Sequence, residues 1–281
     1  MASPSQMGLT LFQQCQNQQA SVAAGNESNN QDLLLLCITN GLSAAYDLQQ
    51  AKETRWNLVL AGALVFLMQL GFAMLCAGCV RRKNISNTLL KNLLDAAGAA
   101  IAWFSVGYAF AYGDDNNHDK NFTFVGHTNF FLTGNVDMAY WFYGYTFCSA
   151  SVTIIAGTLA ERCLMTAYIA YSVFMSGFVY PVVAHSLWSA HGFLSQFAEV
   201  PLFGSGCIDF AGSGVVHLTG GATALVATII LGARKGRFYD SRGQELTKPR
   251  EIPGHSIALQ VMGVFVLWFG CEFLQQGSET S

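Results

Sequence analysis

Charge is what this sequence lacks most. Only 11% of its 281 residues are Asp, Glu, Lys or Arg, against about 25% in a soluble domain. That excludes an ordinary solvated enzyme surface, a disordered chain and the basic face of a nucleic-acid binder. Proline is nearly absent, with 5 residues against 28 Gly, so the glycines do not mark a disordered linker. No zinc or heme spacing, no Gly-rich phosphate loop after a strand and no serine-nucleophile elbow is present. These absences leave no cofactor, metal or catalytic constellation to support an enzyme. What the chain has instead is apolar sequence, 52% of it.

A helix needs about 20 mostly apolar residues to cross a bilayer. Six stretches qualify, near 57–80, 89–112, 137–160, 164–187, 209–233 and 256–274. An all-α polytopic membrane protein is therefore expected. Residues 1–55 stand apart as an N-terminal segment; Leu33 to Ile38 is too short to span, and the first true span is expected to act as its own insertion signal. The basic residues set the topology. Of the 14 Lys and Arg, all but Lys52, Arg55 and Lys120 fall on the side reached after the first span. That side is expected to be cytoplasmic and the N-terminus extracellular. The sequons Asn26-Glu27-Ser28 and Asn121-Phe122-Thr123 then lie outside, and Asn84-Ile85-Ser86 lies inside. Of the 8 cysteines, Cys15, Cys37 and Cys207 fall outside, where disulfides are permitted. Pairing of Cys15 with Cys37 and a free or intermolecular thiol both remain open. Cys76 and Cys79 read as small packing residues.

Glycines at 62, 71 and 78, at 98 and 107, and at 212, 214, 220 and 221 read as close helix contacts, because small residues let backbones approach in lipid. At about 1.5 Å per residue, Trp188, Asp209, Phe147 and His217 form a series from the outer face toward mid-membrane. Each has a plain structural reading beside a functional one. Trp188 suits an interfacial belt, Phe147 a core or lipid-facing ring, Asp209 a helix N-cap and His217 a hydrogen-bonded core position. Together they suit a small cation: aromatic faces attract a partly dehydrated cation, a carboxylate supports its charge, and a neutral histidine offers one donor and one acceptor. The oxygen rings that potassium needs are not evident.

The stretch Asp209-Phe-Ala-Gly-Ser-Gly-Val-Val-His217-Leu-Thr-Gly-Gly221 resembles the signature of the ammonium transporter family, in its plant-type form. So do Met68-Gln-Leu-Gly-Phe-Ala-Met-Leu-Cys-Ala-Gly78, Gly107-Tyr-Ala-Phe-Ala-Tyr-Gly113, Leu159-Ala-Glu-Arg162, Tyr180-Pro-Val-Val-Ala-His185 and Leu202-Phe-Gly-Ser-Gly206. The resemblance runs from about Gly62 to Gly270. It implies an eleven-span fold with inverted five-helix halves around a pore, an outside N-terminus, plasma-membrane residence and a homotrimer or heterotrimer of related subunits. It implies ammonium or methylammonium as substrate, with lipid as the other partner and no nucleic acid. Position by position, it implies that Phe147 and Tyr143 form the outer aromatic gate. Trp188 and Ser278 belong to the recruitment site, Asp209 supports it, and His217 is the first of two pore histidines. The sequence departs from the family after Trp268-Phe-Gly270: Leu274 stands where a gate phenylalanine is expected, and Glu272 adds a charge. Spans seven to eleven and the second pore histidine are missing, so the chain reads as the N-terminal half. It is expected either to carry the family's transport chemistry or to be an inactive fragment, degraded or inhibitory to full-length subunits.

Overall fold

The structure is a computed structural model. It describes residues 13, 15, 28–113, 122–240 and 242–278, and of 28–34 and 273–278 the backbone alone. The chain divides into two units, Met1–Trp56 and Asn57–Ser281. In the first, Cys15 and Cys37 are joined by a disulfide, which settles the pairing the sequence left open; Cys207 is a free, exposed thiol. Asn26 and Asn121 lie outside the described residues.

Six long helical elements follow: α1 Ser28–Cys79, α2 Arg82–Tyr112, α3 Met138–Leu159, α4 Met165–Trp188, α5 Ser213–Leu231 and α6 Ile257–Ser278. Five are long and apolar enough to cross a membrane; in α6 the apolar part with described side chains, Ile257–Glu272, is shorter. Among the described residues the only β structure is two isolated bridges. All six expected spans fall on helices, but their ends differ. The helix expected at 57 begins at Ser28. No proline lies between Pro4 and Pro181, and residues 42–55 are rich in Ala, Leu, Gln, Lys and Glu, which favour helix, so nothing interrupts it. The fifth helix begins at Ser213 rather than at 209, because Gly212 takes a left-handed φ of +78° that ends any upstream helical path. Asp137 starts α3 as expected of an acid at that position, its carboxylate accepting from the Ala139 N–H at 2.9 Å.

The glycine readings apply most sharply to the α1–α6 crossing. A Cβ on Gly71 would lie 2.8 Å from Leu267 Cγ, and one on Gly263 would lie 2.5 Å from the Leu75 nitrogen. Backbone therefore meets backbone there, and dispersion contact replaces the hydrophobic drive that lipid does not supply. Two buried clusters fill the bundle. One gathers Trp103, Tyr143, Phe147, Tyr180, Val215 and Val216. The other gathers Cys76, Ile155, Leu159, Tyr168 and Ala224.

The loops between α1 and α2 and between α3 and α4 meet at Glu161. Its carboxylate accepts from the Arg81 backbone N–H at 3.0 Å, from Arg81 Nε at 3.1 Å and from Asn84 Nδ2 at 2.6 Å. Arg234 Nη1 approaches at 3.3 Å. These donors hold Glu161 at φ +62°, a conformation that costs a non-glycine residue about 1–3 kcal/mol. Burial pushes the Glu161 carboxyl up, but the hydrogen bonds from Asn84 and Arg81 and the Arg81 charge outweigh it and hold the group below the usual carboxylate range. The stabilisation is thus fully present above the unfolded glutamate value of about 4.3 and fades as pH falls through the lower folded value. Glu161→Gln is expected to cost about 1–3 kcal/mol at neutral pH, discounted because Arg81 is more than a third exposed. Unfolding of both proteins in detergent, compared along an acid series, should show the gap closing only below the ordinary glutamate range; a constant gap would contradict the linkage.

Candidate functional site

At the end of the bundle where α3 begins and α4 finishes, a cavity of about 270 Å³ opens between aromatic rings. Tyr112, Tyr140, Tyr143, Phe147, Trp188 and Asp209 line it. Four of the six residues singled out from the sequence therefore share one cavity. Tyr143 and Phe147 are one turn apart on α3, and their ring centroids lie 4.6 Å apart at 65°. Phe147 meets Trp188 of α4 edge-on, at 5.7 Å and 85°. Phe147 is therefore a buried core ring and not a lipid-facing one; it is 2% exposed. Edge-to-face packing of this kind fixes each ring by the quadrupole of its neighbour. Ring faces are the electron-rich surfaces that such a lining can offer a cation.

Trp188 is fixed at its other end. Its indole Nε1 donates to the Asp209 carbonyl at 2.9 Å. The Asp209 side chain in turn organises the start of α5. Oδ1 accepts from Ser213 Oγ at 3.0 Å, and Oδ2 accepts from the N–H groups of Gly214 at 3.0 Å and Val215 at 2.7 Å. The N-cap reading of Asp209 thus holds in substance, although the acid sits before the helix and reaches across Gly212 to it. A carboxylate at a helix N-terminus satisfies orphan donors and faces the positive end of the dipole. At 4% exposure its charge works in a medium where it is little screened.

Gly212 is needed twice here. Its φ is left-handed, and a Cβ would come within 2.7 Å of Val216 Cγ2. Its carbonyl accepts from both Val216 and His217 N–H, each at 2.9 Å, which opens the first turn of α5 into a π turn over Ser213–Leu218. His217 rides on that turn. The structure does not place it inside an enclosed path: it is exposed, on a helix whose Leu218, Leu225 and Ile229 are also more than 60% exposed. The plain core reading of His217 does not fit this position, because nothing in the described residues packs over that side of α5. The Ser278 and Leu274 side chains lie outside the described residues, and so does any part they play.

The sequence singles out neither Tyr112, which falls inside the Gly107–Gly113 motif, nor Tyr140; their rings meet at 5.3 Å in the cavity wall. His185 stands out there only as part of a motif. His185 is fully buried; its Nδ1 donates to the Ala111 carbonyl at 2.9 Å, and Nε2 lies 2.8 Å from Thr123 Oγ1. Since a carbonyl only accepts, Nδ1 carries the hydrogen. This bond ties α4 to the end of α2 and to the loop after it, behind the cavity.

The fold and the site define an all-α membrane bundle with an aromatic and carboxylate cavity at one end. The sequence matches the Ammonium Transporter Family over residues 56–281, and the chain belongs to that family. Among similar proteins, ammonium transporter 1 member 3 of Solanum lycopersicum is 45% identical over 225 residues, covering 79% of this chain and 46% of that protein. Ammonium transporter Amt2 of Archaeoglobus fulgidus is 41% identical over 259 residues, covering 89% and 53%. Among solved structures, a sensor Amt protein aligns with a TM-score of 0.69 and 30% identity, over 83% of this chain and 56% of that one. Mep2 of Saccharomyces cerevisiae aligns at 0.65 and 25%, over 81% and 50%. The chain thus spans about half the length of the curated relatives it matches.

Proposed function

We propose that the aromatic cavity recruits ammonium from the extracellular side of the plasma membrane, as the first step of transport by a complete pore. The observation that carries this reading is the convergence of Tyr143, Phe147 and Trp188 with the buried carboxylate of Asp209 on one cavity. Ammonium entering it loses water and gains ring faces in exchange. Asp209 adds a carboxylate fixed in place by three donors. Ser278 joins the recruitment site in this reading. Deprotonation then follows near Asp209, and ammonia, with the proton separated from it, passes His217. Methylammonium, with the same cationic head, is the convenient tracer. The subunits assemble as homotrimers or as heterotrimers with related chains. A second reading rests on the exposed His217 face: by itself the chain conducts nothing, and it acts on full-length subunits as an inhibitory partner or is degraded.

The recruitment reading is tested on this chain fused to the part of a full-length relative that lies beyond the matched region. Loss of one cation–π contact is worth about 0.5–2 kcal/mol, or roughly 2- to 30-fold in affinity. Trp188→Leu is expected to raise the KM for methylammonium uptake within that range while the maximal rate changes less. An unchanged KM would remove Trp188 from recruitment.

The orientation follows from the basic residues and is tested by glycan mapping. Asn121 should be modified and Asn84 should stay bare. Asn84 has a second reason to stay bare, since its amide nitrogen is held by Glu161. Modification of Asn84 with Asn121 unmodified would reverse the topology.

A further inference from the structure

A second buried carboxyl lies at the opposite end of the bundle from the aromatic cavity, and the transport reading makes no use of it. Asp95 is on α2, fully buried, inside a stretch read as membrane-spanning. An ionisable group at such a position is costly and marks function unless it is firmly paired. Tyr168 of α4 donates its hydroxyl to Oδ2. The other oxygen, Oδ1, is buried without a hydrogen-bond partner, and so are Tyr171 Oη and Ser172 Oγ on α4 and Asn92 Oδ1 one turn earlier on α2. Ser172 faces this part of α2: a Cβ on Gly98, one turn beyond Asp95, would lie 3.4 Å from its Oγ. Lys91, also one turn away, directs its ammonium to the Cys163 carbonyl at 2.8 Å, with its Nζ 5.0 Å from the centre of the Tyr168 ring. Four unpartnered buried oxygens on adjoining turns of two helices require an explanation.

Glu161 supplies the comparison. Its oxygens face only N–H donors, from Arg81, Asn84 and Arg234. Such groups cannot accept, so a protonated Glu161 would point its hydrogen at another hydrogen. Those donors favour that carboxyl as an anion and hold it below the usual carboxylate range. The polar groups around Asp95 are different in kind. Tyr168, Tyr171 and Ser172 of α4 present hydroxyls, which donate to a carboxylate and accept from a carboxylic acid. Cys76 of α1 lies within electrostatic reach, and Tyr145 of α3 is bonded to the Ala96 carbonyl. Lys91 is the single charged neighbour that acts on the carboxyl, and its hydrogen bond goes elsewhere. A hydroxyl beside Asp95 suits either protonation state, since it donates or accepts as it turns.

We propose that Asp95 is a reversible proton-binding site, with Oδ1 as the atom that takes the proton. A hydronium ion from the aqueous phase beside the 160–164 loop gives its proton to Oδ1. One O–H bond forms there, one breaks in hydronium, and a water molecule leaves. Release is the reverse, to a water at the same loop, whose Cys163 carbonyl holds Lys91. Tyr168 keeps its hydrogen throughout and orients the carboxyl.

The test is an infrared difference titration of the full chain in lipid nanodiscs, with aspartate carrying carboxyl carbon-13. In the unsubstituted chain, acidification should bring out a protonated-carboxyl band that shifts with the label and with deuterium. In Asp95→Glu the band should remain but lose its sensitivity to labelled aspartate, and Tyr168→Phe should move its frequency. Because Asp95→Glu keeps a carboxyl, the assignment does not depend on a neutral variant that might misfold. Amide exchange protection establishes folding in each sample. A label-sensitive component of Asp95 that is absent throughout the folded range, or present unchanged throughout it, would overturn the proposal. None of these readings depends on uptake, so failure here and failure of the transport reading are separate results.

Discussion

Asp209→Asn is expected to abolish methylammonium uptake in the fused chain while the protein still reaches the membrane, and to lower its thermal stability as well. By general capping preference the substitution is mild, because Asn caps helices as well as Asp. The structure changes that expectation. Both carboxylate oxygens are in use, one by Ser213 Oγ and the other by the N–H groups of Gly214 and Val215. An amide has one oxygen. If it faces the two backbone donors, its NH₂ meets the Ser213 hydroxyl, which can turn to accept; if it flips, two N–H groups are orphaned at about 1–3 kcal/mol each. The first arrangement wins, so the stability loss is expected near the low end of that range. Uptake should nonetheless vanish, because the negative charge beside the aromatic cavity is gone. Cell-surface labelling and tracer uptake on the same cells separate the two effects. Uptake near that of the unsubstituted fusion would sink the electrostatic role and leave Asp209 as a cap alone.

The second large effect concerns the chain by itself. A pore between two inverted halves needs a wall from each. Here His217 lies exposed on a face of α5 that no described residue covers, so a permeating molecule passing it would meet lipid or water on its other side. The 281-residue chain is therefore expected to give no growth rescue to yeast lacking ammonium uptake, while the fusion with the remaining part of a relative rescues it. Co-expression with a full-length relative should lower that relative's uptake if the chain enters its assembly. Rescue by the 281-residue chain, with blotting to exclude any longer product, would show that one half builds a path. That result would also remove the inhibitory reading.

Counting along the helices places Trp188, Asp209 and Phe147 at graded depths, and the family resemblance adds Tyr143 to them. Tyr143 and Phe147 are four apart on one helix and must share a face. Trp188 ends the next helix, nearer the outer face by count than Phe147, and the contact between their rings emerges only in the folded bundle. Asp209 was readable as a cap but not as a clamp over the π turn, since that turn depends on Gly212 adopting a left-handed φ, which composition does not specify. His185 and Asp95 were quoted or counted without a role. Their partners, Ala111 and Thr123 for one and Tyr168 for the other, are 62 to 74 residues away in sequence. No local period reports a pairing at that range. The long reach of α1 upstream of residue 57 was missed for a different reason: a hydropathy window finds where a helix is greasy, not where it starts.

Three of the membrane-spanning helices carry a π turn, at Trp103–Gly107, Met175–Val179 and Ser213–Leu218. Each holds one more residue than an α-helical turn would. Removing one residue from the Met175–Val179 turn would let it close to an α turn and keep everything beyond it near its present phase, whereas removing one from the regular part of α4 would rotate everything beyond it by about 100°. In the second case Trp188 would swing off Phe147, with every side chain of the aromatic site still present. Single-residue deletions outside the π turn are therefore the more dangerous class of mutation in α4, more so than most substitutions. The site is encoded by how many residues separate Tyr168 from Trp188 as much as by which residues they are.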